Sequence, residues 1–206
     1  DLLELASMSD CICFGTLAQR EAVSRRTVES MLESFTGSYR LLDINLRKNC
    51  YTPASIRSSL ERADILKLNA EEVPEVAASA GVSAEPLDAF AAAIMEAADL
   101  SYCVVTLGAK GAIARSAEGE LVVEPAYRVE MVDPLGSGDA FTAGFVVSLL
   151  RGNALREAVK RGNAMGAKVA TQQGATVPCT QADIERFRAD HDVVELTESD
   201  VQGGRA

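Results

Sequence analysis

Short apolar runs alternate along the chain with longer stretches of helical periodicity. Residues 11–15, Cys-Ile-Cys-Phe-Gly, predict a buried strand that ends at Gly15. Tyr-Arg-Leu-Leu-Asp-Ile at 39–44, Ile65–Leu68 and Tyr102–Thr106 predict three more strands. Between them, 21–35, 53–62, 70–78 and 84–98 carry apolar residues at helical spacing. The helix at 53–62 has a marked start, with Thr52 as N-cap and Pro53 at its first position. The 84–98 stretch is Ala-rich, with Glu85 and Pro86 near its start. Past residue 106, Gly108 and Gly111 punctuate a turn, and Ala112–Arg115 and Leu121–Glu124 predict a hairpin around Glu118-Gly119. Helices at about 139–151, 154–172 and 181–188 complete the pattern.

Strands alternating with helices argue for an α/β fold, a mostly parallel sheet with helices on both faces. In such sheets ligands bind beyond the carboxyl ends of the strands, so the residues just after each strand are the candidates. No repeat or low-complexity linker divides the 206 residues, and that length suits a single α/β domain over 1–206.

Composition narrows the function classes. Apolar residues make up 48% and charged residues 24%, which excludes wholesale disorder. With 20 Lys and Arg against 30 Asp and Glu, the net charge of −10 argues against nucleic-acid or anionic-membrane partners. It still permits a local site for a phosphorylated ligand. No apolar run approaches the ~20 residues of a membrane span, and no signal peptide opens the chain. The five scattered cysteines predict buried free thiols in a cytoplasmic protein, with Cys11 and Cys13 on one face of a strand. His191, the one histidine, sits in a polar stretch that predicts a solvated ring, which argues against zinc. The chain opens on Asp1 rather than Met, as expected of a fragment or a processed product.

The densest chemistry lies in Asp133-Pro134-Leu135-Gly136-Ser137-Gly138-Asp139-Ala140-Phe141, at the start of a long apolar helix. Small residues at 136–138 let the backbone approach a ligand. The first amides of a helix lack intrahelical acceptors and sit at the positive end of its dipole. The loop therefore suits an anion, above all a phosphate whose charge shifts during transfer. Asp139, in the first helical turn, can offer an oxygen base to a hydroxyl. The spacing is not a Walker A, which needs Gly-Lys-Ser/Thr, nor a dinucleotide fingerprint, which needs a third glycine.

These nine residues resemble the signature loop of the PfkB family of sugar and nucleoside kinases, usually Asp-Thr-x-Gly-Ala-Gly-Asp-x-Phe, with Pro134 for Thr and Ser137 for Ala. The resemblance implies that Asp139 is the catalytic base and that Gly136, Ser137 and Gly138 supply the anion hole. Asn69-Ala70-Glu71-Glu72 resembles the family's Asn-x-x-Glu motif, which implies that Asn69 and Glu72 organise Mg²⁺, through water, and the phosphates of ATP. The same stretch also reads as a helix opening with an Asn cap and first-turn acids. Thr106-Leu107-Gly108-Ala109-Lys110-Gly111 resembles the nucleotide loop Thr-x-Gly-x-x-Gly, setting Thr106, Gly108 and Gly111 at the nucleotide, with Lys110 near the phosphates or solvated. Asn163-Ala164 and Gln173-Gly174-Ala175 resemble the adenine end of the site, which implicates Asn163, Gly174 and Ala175. Asp133, Leu135, Gln173 and Ala175 stand where relatives hold a monovalent cation such as K⁺. Phe14–Arg20 and Asp43-Ile44-Asn45-Leu46-Arg47 resemble fructokinase-type members. Asn45 and Arg47 then contact the sugar or the transferring phosphate, or else form a structural network with Asp43.

The resemblance runs to about residue 190. It finds no counterpart of the family's N-terminal part, with its lid and Gly-Gly-x-x-x-Asn stretch. It implies a ribokinase-like, Rossmann-type fold present as the C-terminal portion, without the lid. The implied function is ATP-dependent phosphorylation of a sugar hydroxyl, fructose-like by preference, in a cytoplasmic enzyme, with a homodimer left open. Kinases for 2-keto-3-deoxygluconate, ribose or a nucleoside, and a non-catalytic nucleotide-binding remnant, are the alternatives.

Overall fold

Four parallel strands organise the first part of the computed structural model, which describes residues 2–176 and 178–197. β1 (Cys11–Phe14) pairs with β2 (Tyr39–Asp43), β2 with β3 (Ile65–Asn69), and β3 with β4 (Tyr102–Thr106). Ile65 to Leu68 are all buried, the near-continuous apolar pattern of a parallel strand. The register sets Asp43 beside Lys67 and Asn69 beside Thr106.

The strands are linked through α2 (Ala22–Ser34), α3 (Pro53–Leu60), and the pair α4 (Val73–Ala80) and α5 (Leu87–Ala98). Right-handed crossovers between strands in this sequential order put the linking helices on one face. Ile12, Phe14, Leu42, Leu66, Leu68, Cys103 and Val105 share a face by alternation and are buried. Cys11 and Cys13 share the opposite face. There Cys11 is half-buried and Cys13 exposed, contrary to the expectation of buried thiols, because β1 ends the strand order and has one neighbour only. Cys103 is buried, and all five cysteines are free. The predicted start of α3 holds: Ser55 N donates to Thr52 Oγ1 at 3.1 Å and Thr52 N to Ser55 Oγ at 2.8 Å, with Pro53 at N1. A short helix α1 (Leu2–Ser7), not anticipated from the sequence, packs on α2.

The chain divides into two compact units. One comprises the residues up to Thr106 with Arg115–Glu120, and the other Leu107–Ala114 with the chain from Leu121 onward. The single-domain span also included residues 1, 177 and 198–206, which lie outside the described residues. The strand order continues from β4 through β5 (Gly111–Ser116) to β6 (Leu121–Pro125), six strands in sequence order, and the whole is an α/β fold.

In the second unit, α6 (Ser137–Leu150) packs along α7 (Leu155–Ala170). The contact is close because α7 has no side chain where it meets the start of α6. A Cβ at Gly162 would stand 2.9 Å from the Phe141 ring, and one at Gly166 3.0 Å from Ser137 O. α8 (Gln181–Asp190) brings Ile184 and Phe187 into a cluster with Tyr127 and Ala164. His191 is not the solvated residue expected. Its ring stacks on Phe187, centroids 4.1 Å apart, and Nδ1 lies 2.9 Å from Phe187 O. The polar neighbours conceal that Phe187 sits four residues back, on the same helical side.

Candidate active site

The candidate residues form one set in each unit. In the first unit, Asn45 follows β2 at φ 40°, a left-handed conformation that asparagine tolerates better than most residues. The next amide, Leu46 N, donates to Glu72 Oε1 at 2.7 Å. Asn69 N donates to Glu72 Oε2 at 2.9 Å, and Glu72 N donates back to Asn69 Oδ1 at 3.1 Å. The Asn-x-x-Glu stretch is therefore a reciprocal cap on the turn before α4, as in a capping box, and Glu72 also grips the preceding loop. Ala70 N donates to Thr106 O at 3.0 Å, and Thr106 Oγ1 to Leu68 O at 3.3 Å. Asn69, Glu72, Thr106 and the Asn45–Arg47 loop are thus brought together. Asn45, Arg47 and Asn69 are exposed, whereas Glu72 is buried.

Beneath this edge lies an ion pair that sequence reasoning missed. Lys67 Nζ is 3.1 and 3.0 Å from the two Asp43 carboxylate oxygens, and both side chains are about nine-tenths buried. Each residue stands two positions before a candidate asparagine, Asn45 or Asn69, and that matched offset was the available signal.

In the second unit, Gly111 has φ 126°, and a Cβ there would lie 2.1 Å from Glu124 O. No residue but glycine fits. Gly108, at φ 60°, opens the turn before it, and Leu107 N donates to Gly111 O at 2.8 Å. Gly136 is the N-cap of α6 at φ 80°, and its missing Cβ would lie 2.7 Å from Ala175 O. The signature loop and the Gly174-Ala175 loop therefore meet backbone to backbone. Asp133 ties them: Oδ1 accepts Leu135 N at 2.9 Å and Oδ2 accepts Gly174 N at 3.0 Å. The amides of Leu135 first, then Gly174, hold its carboxyl below the ordinary aspartate range.

Not all of the expected anion-hole donors point outward. Ser137 N is spent on Pro134 O at 3.2 Å, closing the loop's own turn. Gly138 and Asp139, exposed in the first turn of α6, have amides with no intrahelical acceptor. Asn163 is directed inward. Its Nδ2 donates to Glu124 O at 3.1 Å and to Pro125 O at 3.0 Å, and the residue is 6% exposed. It pins the end of β6 to α7, leaving Oδ1 as its remaining acceptor.

The donor set fits a magnesium ion only through water. Both Glu72 oxygens carry a backbone amide, yet each keeps acceptor capacity for a metal-bound water. Among the described residues no group of three or more His, Cys, Asp or Glu is arranged to hold an ion. Asp133 likewise has acceptor capacity left toward a monovalent cation.

The chain is similar in sequence to known kinases. The aminoimidazole riboside kinase of Salmonella typhimurium is 31% identical over 170 residues, 77% of this chain and 51% of its own length. The 2-dehydro-3-deoxygalactonokinase of Haloferax volcanii is 28% identical over 197 residues, 90% of this chain and 60% of its own. The crystal structure of fructokinase from Vibrio cholerae, in a form bound to fructose, ADP and calcium, matches with a TM-score of 0.74 at 25% identity, over 86% of this chain and 60% of that one. The chain thus spans about half to three-fifths of the length of these relatives. The pattern defining the pfkB family carbohydrate kinases matches residues 21–182. That stretch holds every candidate residue described above and most of the chain, which belongs to the pfkB family of carbohydrate kinases.

Proposed function

We propose that the protein transfers the γ-phosphoryl group of ATP to a hydroxyl of a small sugar, fructose-like by preference. One observation carries the reading. Gly136, in the left-handed conformation, opens α6 so that exposed first-turn amides and the Asp139 carboxylate share one helix end. An anion site beside an oxygen base is what phosphoryl transfer to an alcohol needs. The Vibrio cholerae fructokinase supports the choice of sugar.

In this reading the acceptor oxygen forms a bond to the γ-phosphorus as the bond from that phosphorus to ADP breaks. Asp139 takes the hydroxyl proton, and the amides of Gly138 and Asp139 receive the charge of the transferring group. Gly108 and Gly111 give the nucleotide backbone contact, and Gly174 and Ala175 leave room for the base. Asn45 and Arg47 face the sugar or the phosphate, Arg47 with a two-pronged grip. Magnesium, held through water by Asn69 and Glu72, would neutralise phosphate charge when bound. A K⁺-type cation would sit at Asp133. Five free cysteines suit a reducing cytoplasm, and among the described residues no helix is long and apolar enough to cross a membrane.

The test is ADP release by the natural protein with fructose, ribose, 2-keto-3-deoxygluconate and aminoimidazole riboside. The reading expects acceptor-dependent ADP formation, fastest with fructose. ADP formation unaltered by every acceptor would refute it.

A further inference from the structure

Glu72 is buried to 9% exposure, and its two carboxylate oxygens hold backbone amides from two different segments, Leu46 in the loop after β2 and Asn69 at the end of β3. We propose that Glu72 is a positioning residue that couples the acceptor loop to the nucleotide turn, so that a ligand ordering one orders the other. The inference rests on the reading above that Asn45–Arg47 serves the acceptor and Asn69–Glu72 the nucleotide.

The hydrogen-bond pattern carries the argument. The strand ends are secured without Glu72: Ile44 N donates to Lys67 O at 3.1 Å, Thr16 Oγ1 donates to Ile44 O at 3.0 Å, and Lys67 pairs with Asp43. Just past that point Asn45 takes φ 40°, and the next amide goes to Glu72. A non-glycine residue in the left-handed region persists when its surroundings hold it there. The grip on Leu46 is what stands next to that strained residue. A carboxylate suits the task because it offers an acceptor on each side, whereas an amide side chain offers one acceptor and sets an N–H₂ against the other backbone N–H.

Hydrogen–deuterium exchange, followed by mass spectrometry on the natural protein and on Glu72→Gln, tests the coupling with ADP as probe. In the ligand-free state the substitution should speed exchange at 44–48 about tenfold while 39–43 and 65–68 stay unchanged, as for loss of one charge-assisted bond. In the wild type, ADP should protect both 69–72 and 44–48, with or without Mg²⁺. In Glu72→Gln it should protect 69–72 while protection of 44–48 is largely lost. The wild-type arm needs no variant to fold. Protection confined to 69–72 in the wild type, transmission in Glu72→Gln equal to wild type, or transmission that requires Mg²⁺ overturns the coupling alone. No protection at 69–72 in either protein overturns the nucleotide reading, and the coupling with it.

Discussion

Asp133 Oδ2 accepts the amide of Gly174 at 3.0 Å, bridging 41 positions of sequence. With Oδ1 on Leu135 N, one carboxylate holds the signature loop closed and moors it to the loop after α7. Asp133→Ala should raise the KM for ATP several-fold and alter kcat less, since it loosens a binding edge and spares Asp139; steady-state kinetics check this. The pH dependence has a definite sign. The carboxyl is held low in the folded state, so the clip is complete above the unfolded value of about 3.9 and is lost only as pH falls through the lower, folded one. A carboxyl NMR titration should find Asp133 ionised where ordinary aspartates are already protonating.

Asp139→Asn keeps the shape of the first turn of α6 and removes the proton acceptor. Turnover should fall about 10²–10⁴-fold, with ADP affinity nearly unchanged by calorimetry. Near-normal turnover would remove Asp139 from the role of base.

Gly136→Ala meets two obstacles, the left-handed φ of 80° and a Cβ 2.7 Å from Ala175 O. The second cannot be relieved by a rotamer, because the backbone fixes the position of the Cβ and the oxygen it meets is itself backbone. The variant should lose more than about 1 kcal/mol of stability and most of its ADP binding. Thermal unfolding and calorimetry read the two effects separately.

Asn163→Asp replaces a donor to two carbonyls with an acceptor at a site 6% exposed. Leaving Glu124 O and Pro125 O facing an oxygen should cost about 1–3 kcal/mol or more, measured by urea unfolding. Loss of nucleotide binding with unaltered stability would instead assign Asn163 to the ligand.

Cys103 is fully buried in β4, and burial pushes its thiol up to about 12. The contribution is present in full below the unfolded thiol's 9.0 and is lost progressively as pH rises from there through about 12. Cys103→Ala should flatten the fall in stability over that alkaline window. In the wild type, alkylation of Cys103 at pH 8 should report global unfolding only.

The strands and most helices are legible because parallel strands buried on both faces read as short, mostly apolar runs, Cys103 to Val105 being the plainest case and Ile65 to Leu68 one that only Lys67 interrupts. The turn glycines are legible too, since a positive φ at Gly108, Gly111 and Gly136 has few other occupants. Helix α1 is too short for its periodicity to stand out, and its Leu2 and Leu5 are 57% and 62% exposed. The grip of Glu72 on Leu46 and the seat of Asn163 on β6 depend on strand register and helix placement. Local spacing carries the Asn69 cap but not those partners.

The bare face of α7 at Gly162 and Gly166 has a consequence for which changes the protein can absorb. The start of α6 is located by its contact with α7, and Asp133 moors the loop that leads into it. A methyl at 162 would push on the Phe141 ring and lever the start of α6, where Gly138 and Asp139 lie, out of line. The joint at the other end of the same helix pair, residues 151–154, is wholly exposed and could be lengthened with little effect. Substitutions that look mildest, a glycine to alanine inside a helix, should be the damaging ones here, and outright insertions in the joint the benign ones.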